Sequence, residues 1–129
     1  MSSAGRSGGG APSGCLFCRI ARKEIDAKVV FEDDEVLAFR DINPQAPTHV
    51  LVIPKRHITV TDDLGPGDDA LVGRLVRTGV EVAKKEGLAG GASARGYRLV
   101  FNAGPDSGYA VFHIHLHVLG GRRMSWPPG

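Results

Sequence analysis

Three histidines, His113, His115 and His117, alternate with Ile114, Leu116 and Val118. On an extended strand successive side chains point to opposite faces, so a row of imidazoles is set against a row of aliphatics. The aliphatic row belongs in a core. An ordinary half-exposed strand carries mixed polar residues on its other face, so a row made only of imidazole calls for chemistry. One metal ion shared by all three is a poor explanation. Residues i and i+4 of a strand lie about 14 Å apart at Cα, whereas ligand nitrogens approach zinc to about 2.1 Å. The three rings are therefore expected to divide their labour. Imidazole suits attack on phosphorus, because much of it is unprotonated near neutral pH and it departs well enough to allow turnover. One of the three rings is therefore the expected nucleophile. A neighbouring imidazolium and the glycine-rich backbone of residues 102–108 would supply donors to phosphoryl oxygens.

The elements that must hold these rings are legible from patterning. A strand from Val111 to about Leu119 carries the histidines. Short apolar runs at 29–31 and 36–39, separated by four acidic residues, predict a hairpin. His49 to Pro54 is β-branched and apolar and predicts a third strand, and Tyr97 to Phe101 a fourth. Residues 15–23 predict a short helix. A longer helix should run from a start at Asp68-Asp69 to about Glu86, with Leu71, Val72, Leu75, Val76, Val80 and Ala83 as its apolar stripe. Strands, one main helix, then strands within about 115 ordered residues give an α+β domain on a mainly antiparallel sheet.

Composition narrows the function classes. With 129 residues, 42% hydrophobic and 23% charged, the chain suits one globular domain. A net charge of +2 with scattered lysines and arginines is too small a footprint for a nucleic-acid partner. No stretch approaches the roughly 20 apolar residues of a membrane span, so no membrane partner is expected. Residues 1–14 lack any apolar run, which predicts a disordered tail and no signal peptide. With two cysteines and no export signal, a cytoplasmic location is expected.

The His-φ-His-φ-His pattern resembles the histidine-triad superfamily. The tail Gly120-Gly-Arg-Arg-Met-Ser-Trp-Pro-Pro-Gly129 resembles its nucleotide-binding, phosphoramidase branch, as do 39–49, 51–57 and 97–104. The resemblance spans roughly 15–129. It implies a HIT-like α+β fold: about five antiparallel strands and two helices, with the sheet continuous across an intertwined homodimer and residues 120–129 at the interface. It implies hydrolysis of purine nucleoside 5′-phosphoramidates and acyl-adenylates to a nucleoside monophosphate, with no cofactor needed for catalysis. By similarity His115 becomes nucleotidylated, and His117 contacts phosphate and leaving group. Asp41 would hold the ribose hydroxyls, Ile42 would pack near the sugar, and Phe17 and Ile20 would line the base pocket. Asn102 would contact the phosphate, and Trp126 would reach the active site of the other protomer. Bottom-up, a carboxylate can accept two hydroxyl protons, although Asp41 beside Asn43-Pro44 also reads as a turn residue. Phe17 and Ile20 equally read as core.

Two features stand apart from that pattern. Where the family has Gly-Gln-Ser/Thr before the triad, this chain has Gly108-Tyr109-Ala110. The hydroxyl beside the leaving group is lost, which predicts a slower or altered phosphoramidase. Cys15 and Cys18 resemble the cysteines through which some relatives hold a structural zinc, the other ligands then resembling His49 and His113. Two alternatives stay open: a redox pair, or free thiols with His49 and His113 hydrogen-bonded to each other. His57 is expected to be exposed and outside any site. Besides the phosphoramidase, a dinucleoside polyphosphate hydrolase, a nucleotidyl transferase and a nucleotide-binding interaction protein with little turnover remain as readings.

Overall fold

The computed structural model describes residues 14–129, and most of the expected 1–14 tail lies outside that range. Five strands form one antiparallel sheet in the order β1-β2-β3-β5-β4. These are β1 (Val29–Glu32), β2 (Val36–Arg40), β3 (Thr48–Pro54), β4 (Tyr97–Phe101) and β5 (Leu116–Gly120). Two helices join them, α1 (Leu16–Ala21) and α2 (Asp69–Lys85).

The sheet is buried on both faces at its centre. Alternation sends Val36, Ala38, Val50, Val52, Leu116 and Val118 to one side, where α2 supplies Leu75, Val82 and Ala83. It sends Leu37, Phe39, Leu51 and Ile53 to the other, against Phe17 and Ile20 of α1. Every residue of β3 is buried in consequence. The helix α2 comes close to the sheet at Gly79, where a Cβ would stand 3.1 Å from Leu116 and 3.3 Å from Leu99 and Val118. The pair Arg40–Glu86, with Thr48 donating to the same carboxylate, ties the end of α2 to β2 and β3.

The structure revises three expectations. The buried face of α2 is Leu75, Thr78, Gly79, Val82 and Ala83, so Val72, Val76 and Val80 form a separate row that the core does not cover. Two apolar rows on one helix blur the periodicity from which a single stripe is read. Asp68 stands at the N-cap of α2 with Asp69 in the first turn, as expected, but its carboxylate makes no capping bond; it accepts from the Gly65 N–H and pairs with Arg56. The strand expected from Val111 enters the ladder only at Leu116, which faces Val52 of β3 and Phe101 of β4. Ahead of it, the Ile114 N–H donates to the Ile58 carbonyl instead. Two of the three triad histidines therefore precede the sheet.

Candidate active site

The ends of β2, β4 and β5, helix α1 and the 108–111 turn enclose a cleft of about 330 Å³. Its apolar wall holds Phe17, Ile20, Ile25, Phe39 and Leu51; its polar end holds Asp41, Asn102, His115 and His117. Six of the residues expected at a nucleotide site, Phe17, Ile20, Asp41, Asn102, His115 and His117, thus line one cavity, and Ile42 stands at its rim, 97% exposed. Trp126 is not among the cleft's lining residues. It is 82% exposed, lies over the Arg98 guanidinium, and the same arginine donates to the Ser125 carbonyl.

The chain assigns the histidine protons. His115 Nδ1 lies 2.7 Å from the His113 carbonyl. A carbonyl only accepts, so Nδ1 carries the proton and Nε2 is left with its lone pair. Phe17 meets the His115 ring edge-on at 5.0 Å, and Tyr109 lies nearly parallel to it at 6.1 Å. Burial holds the His115 pKa below 6.5, partly offset by the His113 carbonyl and the Asp41 charge. The ring is neutral at physiological pH, as a nucleophile must be.

His117 has a partner that sequence did not give it. His49 Nδ1 accepts the Gln45 N–H at 3.0 Å, so its proton sits on Nε2, 2.9 Å from His117 Nδ1. His117 accepts there and carries its own proton on Nε2; Asn102 Nδ2, 3.5 Å away, is also a donor, so the two do not hydrogen-bond to each other and both can donate to one ligand oxygen. Burial, then the neighbouring histidines, push the His117 pKa down to about 4. The ring is a neutral donor aimed at the polar end of the cleft. Asp41 accepts the Asn43 N–H at 2.8 Å, which fixes its carboxylate, and Oδ2 stands 3.5 Å from His49 Nε2.

The expected metal set of Cys15, Cys18, His49 and His113 is not brought together. His57 occupies the position expected of His49 and is buried, not exposed. The reason lies in β3: His49 and Leu51 share a face, and Leu51 pairs with His117, so His49 falls beside His117 and not beside the cysteines. The cluster itself is tight. His113 Nδ1 is 3.4 Å from each sulfur and 3.2 Å from His57 Nδ1, and Cys18 Sγ is 3.2 Å from His57 Nδ1. His113 Nε2 donates to the Pro54 carbonyl at 2.8 Å, which leaves Nδ1 bare toward the cluster. Burial pushes the Cys18 thiol up to about 12. The signal for His57 was its place in Pro54-Lys-Arg-His57, immediately after the strand whose last carbonyl holds His113.

The Tyr109 hydroxyl donates to the Thr59 carbonyl. Burial pushes its pKa up to about 12, so it stays a neutral phenol. Its proton is committed to Thr59 and does not replace the hydroxyl that Ala110 lacks.

Comparison with known proteins gives a consistent result. The family model for the HIT domain matches residues 22–124. Adenylylsulfatase HINT1 of Arabidopsis thaliana is 50% identical over 117 residues, covering 88% of this chain and 76% of that protein. A 14 kDa zinc-binding protein of Zea mays is also 50% identical over 117 residues, covering 88% and 87%. Among solved structures, a HIT family hydrolase from Legionella pneumophila Philadelphia 1 superposes with a TM-score of 0.84 at 55% identity, covering 89% of this chain and 99% of that one.

Proposed function

The chain belongs to the HIT domain family, and from that premise we propose that it is a hydrolase cleaving purine nucleotides at the α-phosphorus. The observation that carries the reading is the proton on His115 Nδ1, fixed by the His113 carbonyl, with Nε2 bare on a ring that lines the cleft. The substrates are nucleoside 5′-phosphoramidates and acyl-adenylates. The base lies against Phe17 and Ile20, the ribose hydroxyls on Asp41 beside Ile42, and the phosphate near Asn102 and His117.

In the first step His115 Nε2 bonds to phosphorus as the P–N or P–O bond to the leaving group breaks, and that group takes the electron pair. His117 donates its Nε2 proton as a hydrogen bond to a phosphoryl oxygen where charge develops. In the second step water attacks phosphorus and releases a proton to solvent, the P–Nε2 bond breaks with its electron pair returning to Nε2, and nucleoside monophosphate leaves with His115 restored as the neutral Nδ1–H ring. An amine must gain a proton as it departs, and with no side chain here free to give one it takes that proton from water, whereas a carboxylate or sulfate needs none. With Ala110 lacking a hydroxyl and Tyr109 bound to Thr59, the site favours leaving groups that depart as anions. The Arabidopsis relative's name, adenylylsulfatase, fits that preference.

Zinc fits the thiol–imidazole cluster. A tetrahedron with metal–ligand bonds of 2.1–2.3 Å has edges of about 3.4–3.8 Å, against 3.2–3.4 Å for four of the six donor pairs here, with all six within 4.8 Å. The Pro54 carbonyl on His113 Nε2 is the usual outer partner of a ligating imidazole. Cys15, Cys18, His57 and His113 would hold the ion as a closed structural site, with no open position for catalysis. The unpaired edge of β4 and the uncovered Val72–Val76–Val80 row support a homodimer, with Trp126 directed to the partner's cleft.

Incubation with adenosine phosphoramidate and with a diadenosine polyphosphate, wild type against His115→Ala, tests the reading. Phosphoramidate cleavage with an adenylyl group on His115 is expected, and both should vanish in the variant. Faster cleavage of the polyphosphate points to a dinucleotide hydrolase, and binding without turnover points to an interaction protein.

A further inference from the structure

The polar end of the cleft takes its sign from the loop between β2 and β3. The Gln45 N–H at His49 Nδ1 keeps the His49 proton on Nε2, and that proton makes His117 Nδ1 an acceptor and His117 Nε2 a donor. Were His49 to hold its proton on Nδ1, the order would reverse. His49 Nε2 would accept, His117 would carry its proton on Nδ1, and a bare Nε2 would face the phosphoryl oxygens. Asp41 Oδ2, 3.5 Å from His49 Nε2, favours the observed form, and its other oxygen takes the Asn43 N–H of the same loop. That loop has few ties. Pro44 and Pro47 carry no N–H, and its internal bonds, Asn43 to Asp41, Gln45 to Asn43 and Gln45 to His49, span only two to four residues. Among the described residues, one hydrogen bond reaches positions 42–47 from elsewhere in the chain: Arg122 Nε donates to the Gln45 carbonyl at 2.9 Å.

We infer that Arg122 is a positioning residue for His117, holding Gln45 so that its N–H stays on His49 Nδ1 and His117 keeps a donor toward the substrate. This rests on the reading of His117 as donor to the phosphoryl group. The carbonyl that accepts from Arg122 and the N–H that meets His49 flank a single Cα, so fixing the first leaves the second only the torsions of Gln45 itself. Arg122 follows directly on Gly121, where an added Cβ would meet the Pro47 ring at 2.9 Å, so the tail and the loop lie against each other at two points. From Arg122 the path runs through three hydrogen bonds of 2.9, 3.0 and 2.9 Å to the ring in the cleft. The segment after β5, which also carries Trp126, is thereby joined to the reacting end of its own protomer.

The test uses full-length protein and two substitutions of similar length at position 122. Arg122→Gln keeps an N–H donor where Arg122 Nε stands and removes the charge; Arg122→Met removes both. Two quantities are read on samples whose fold is checked by circular dichroism: kcat and KM for adenosine phosphoramidate, and the His117 tautomer from long-range ¹⁵N–¹H correlations. Arg122→Met is expected to lower kcat about threefold to tenfold, the worth of one hydrogen bond. Its KM should move less, and its His117 proton should be shared between the two nitrogens. Arg122→Gln should match wild type in both readouts. In a His49→Ala background, Arg122→Met should lower kcat no further, because the path runs through that ring. Equal losses in the Gln and Met variants mean that the charge attracts the nucleotide, and additive losses with His49→Ala mean a route around that ring; either overturns the inference. So does a Met variant with wild-type kcat and an unchanged tautomer. If wild type cleaves no phosphoramidate, the hydrolase reading fails, and the tautomer in the Met variant alone decides the positioning.

Discussion

His49 Nε2 lies 2.9 Å from His117 Nδ1, and the Gln45 N–H on the far side of His49 fixes the direction of that hydrogen bond. The pair sets which nitrogen of His117 faces the cleft. Removing His49 frees His117 to present either nitrogen and leaves a buried acceptor without its donor, at a cost of about 1–3 kcal/mol. His49→Ala is expected to lower kcat about tenfold to a hundredfold, the range for groups that orient an active imidazole, while zinc content stays unchanged. Steady-state kinetics with metal analysis on the same sample checks both, and a kcat equal to wild type would remove His49 from the mechanism.

Burial depresses the His115 pKa below its ordinary 6.5. Protonation removes the attacking lone pair, so kcat/KM should hold level from pH 8 to below 6.5 and fall only under more acidic conditions. Stability follows the same sign through His117. Its folded pKa is about 4 against an ordinary 6.5, so the unfolded chain gains a proton that the folded one does not in that window. The midpoint of thermal unfolding should drop as pH is lowered from about 6.5 to 4, where the unfolded state binds more protons. A pH–rate profile and melting curves at matched ionic strength measure the two effects.

Ala110 lines the cleft without a donor, and the Tyr109 proton is committed to Thr59. Ala110→Ser should raise the cleavage rate of an amine-leaving phosphoramidate about tenfold or more, by supplying one donor at the reacting bond. An acyl-adenylate should gain little. The ratio of the two rates is the readout, and an unchanged ratio means that no leaving-group proton passes through this position.

The two histidine clusters predict opposite metal phenotypes. His57→Ala should lose tightly held zinc, because a buried Cys₂His₂ set with three ligands is no longer closed. His49→Ala should keep it. Elemental analysis after dialysis distinguishes the ligand set of the structure from the one expected in the sequence.

Gly121 turns the chain off β5 with φ +92, and a Cβ there would stand 2.9 Å from the Pro47 Cβ. Its carbonyl also accepts from Arg95, which helps to anchor the tail that carries Trp126. Gly121→Ala combines backbone strain with a clash against a rigid ring. It should destabilise the fold by about 1–3 kcal/mol, measured as a shift in denaturant midpoint at constant slope.

The strand order's raw material was plain in the sequence, because β2 and β3 are short apolar runs between polar turns. Their two-sided burial could not be read there: a continuous apolar run looks the same whether one face is covered or two. The cleft residues Phe17, Asp41, Asn102, His115 and His117 were found from motif and resemblance. His49 and His57 were exchanged, since eight residues of separation in a strand and its exit loop leave the partner of each ring to register. Register is a property of pairing, and only the Leu51–His117 partnership placed His49. Tyr109 could be seen to differ from the family pattern, but its bond to a carbonyl fifty residues away leaves no mark in composition.

Asp41 stands 3.5 Å from the imidazole that holds His117. With the ribose on Asp41 as proposed, the sugar and the reacting bond share one electrostatic circuit. A 2′-deoxy or 3′-deoxy sugar removes a hydroxyl from that carboxylate, which changes its solvation and with it the field at the far ring. Discrimination between ribo- and deoxyribonucleotides should consequently register in turnover as well as in affinity.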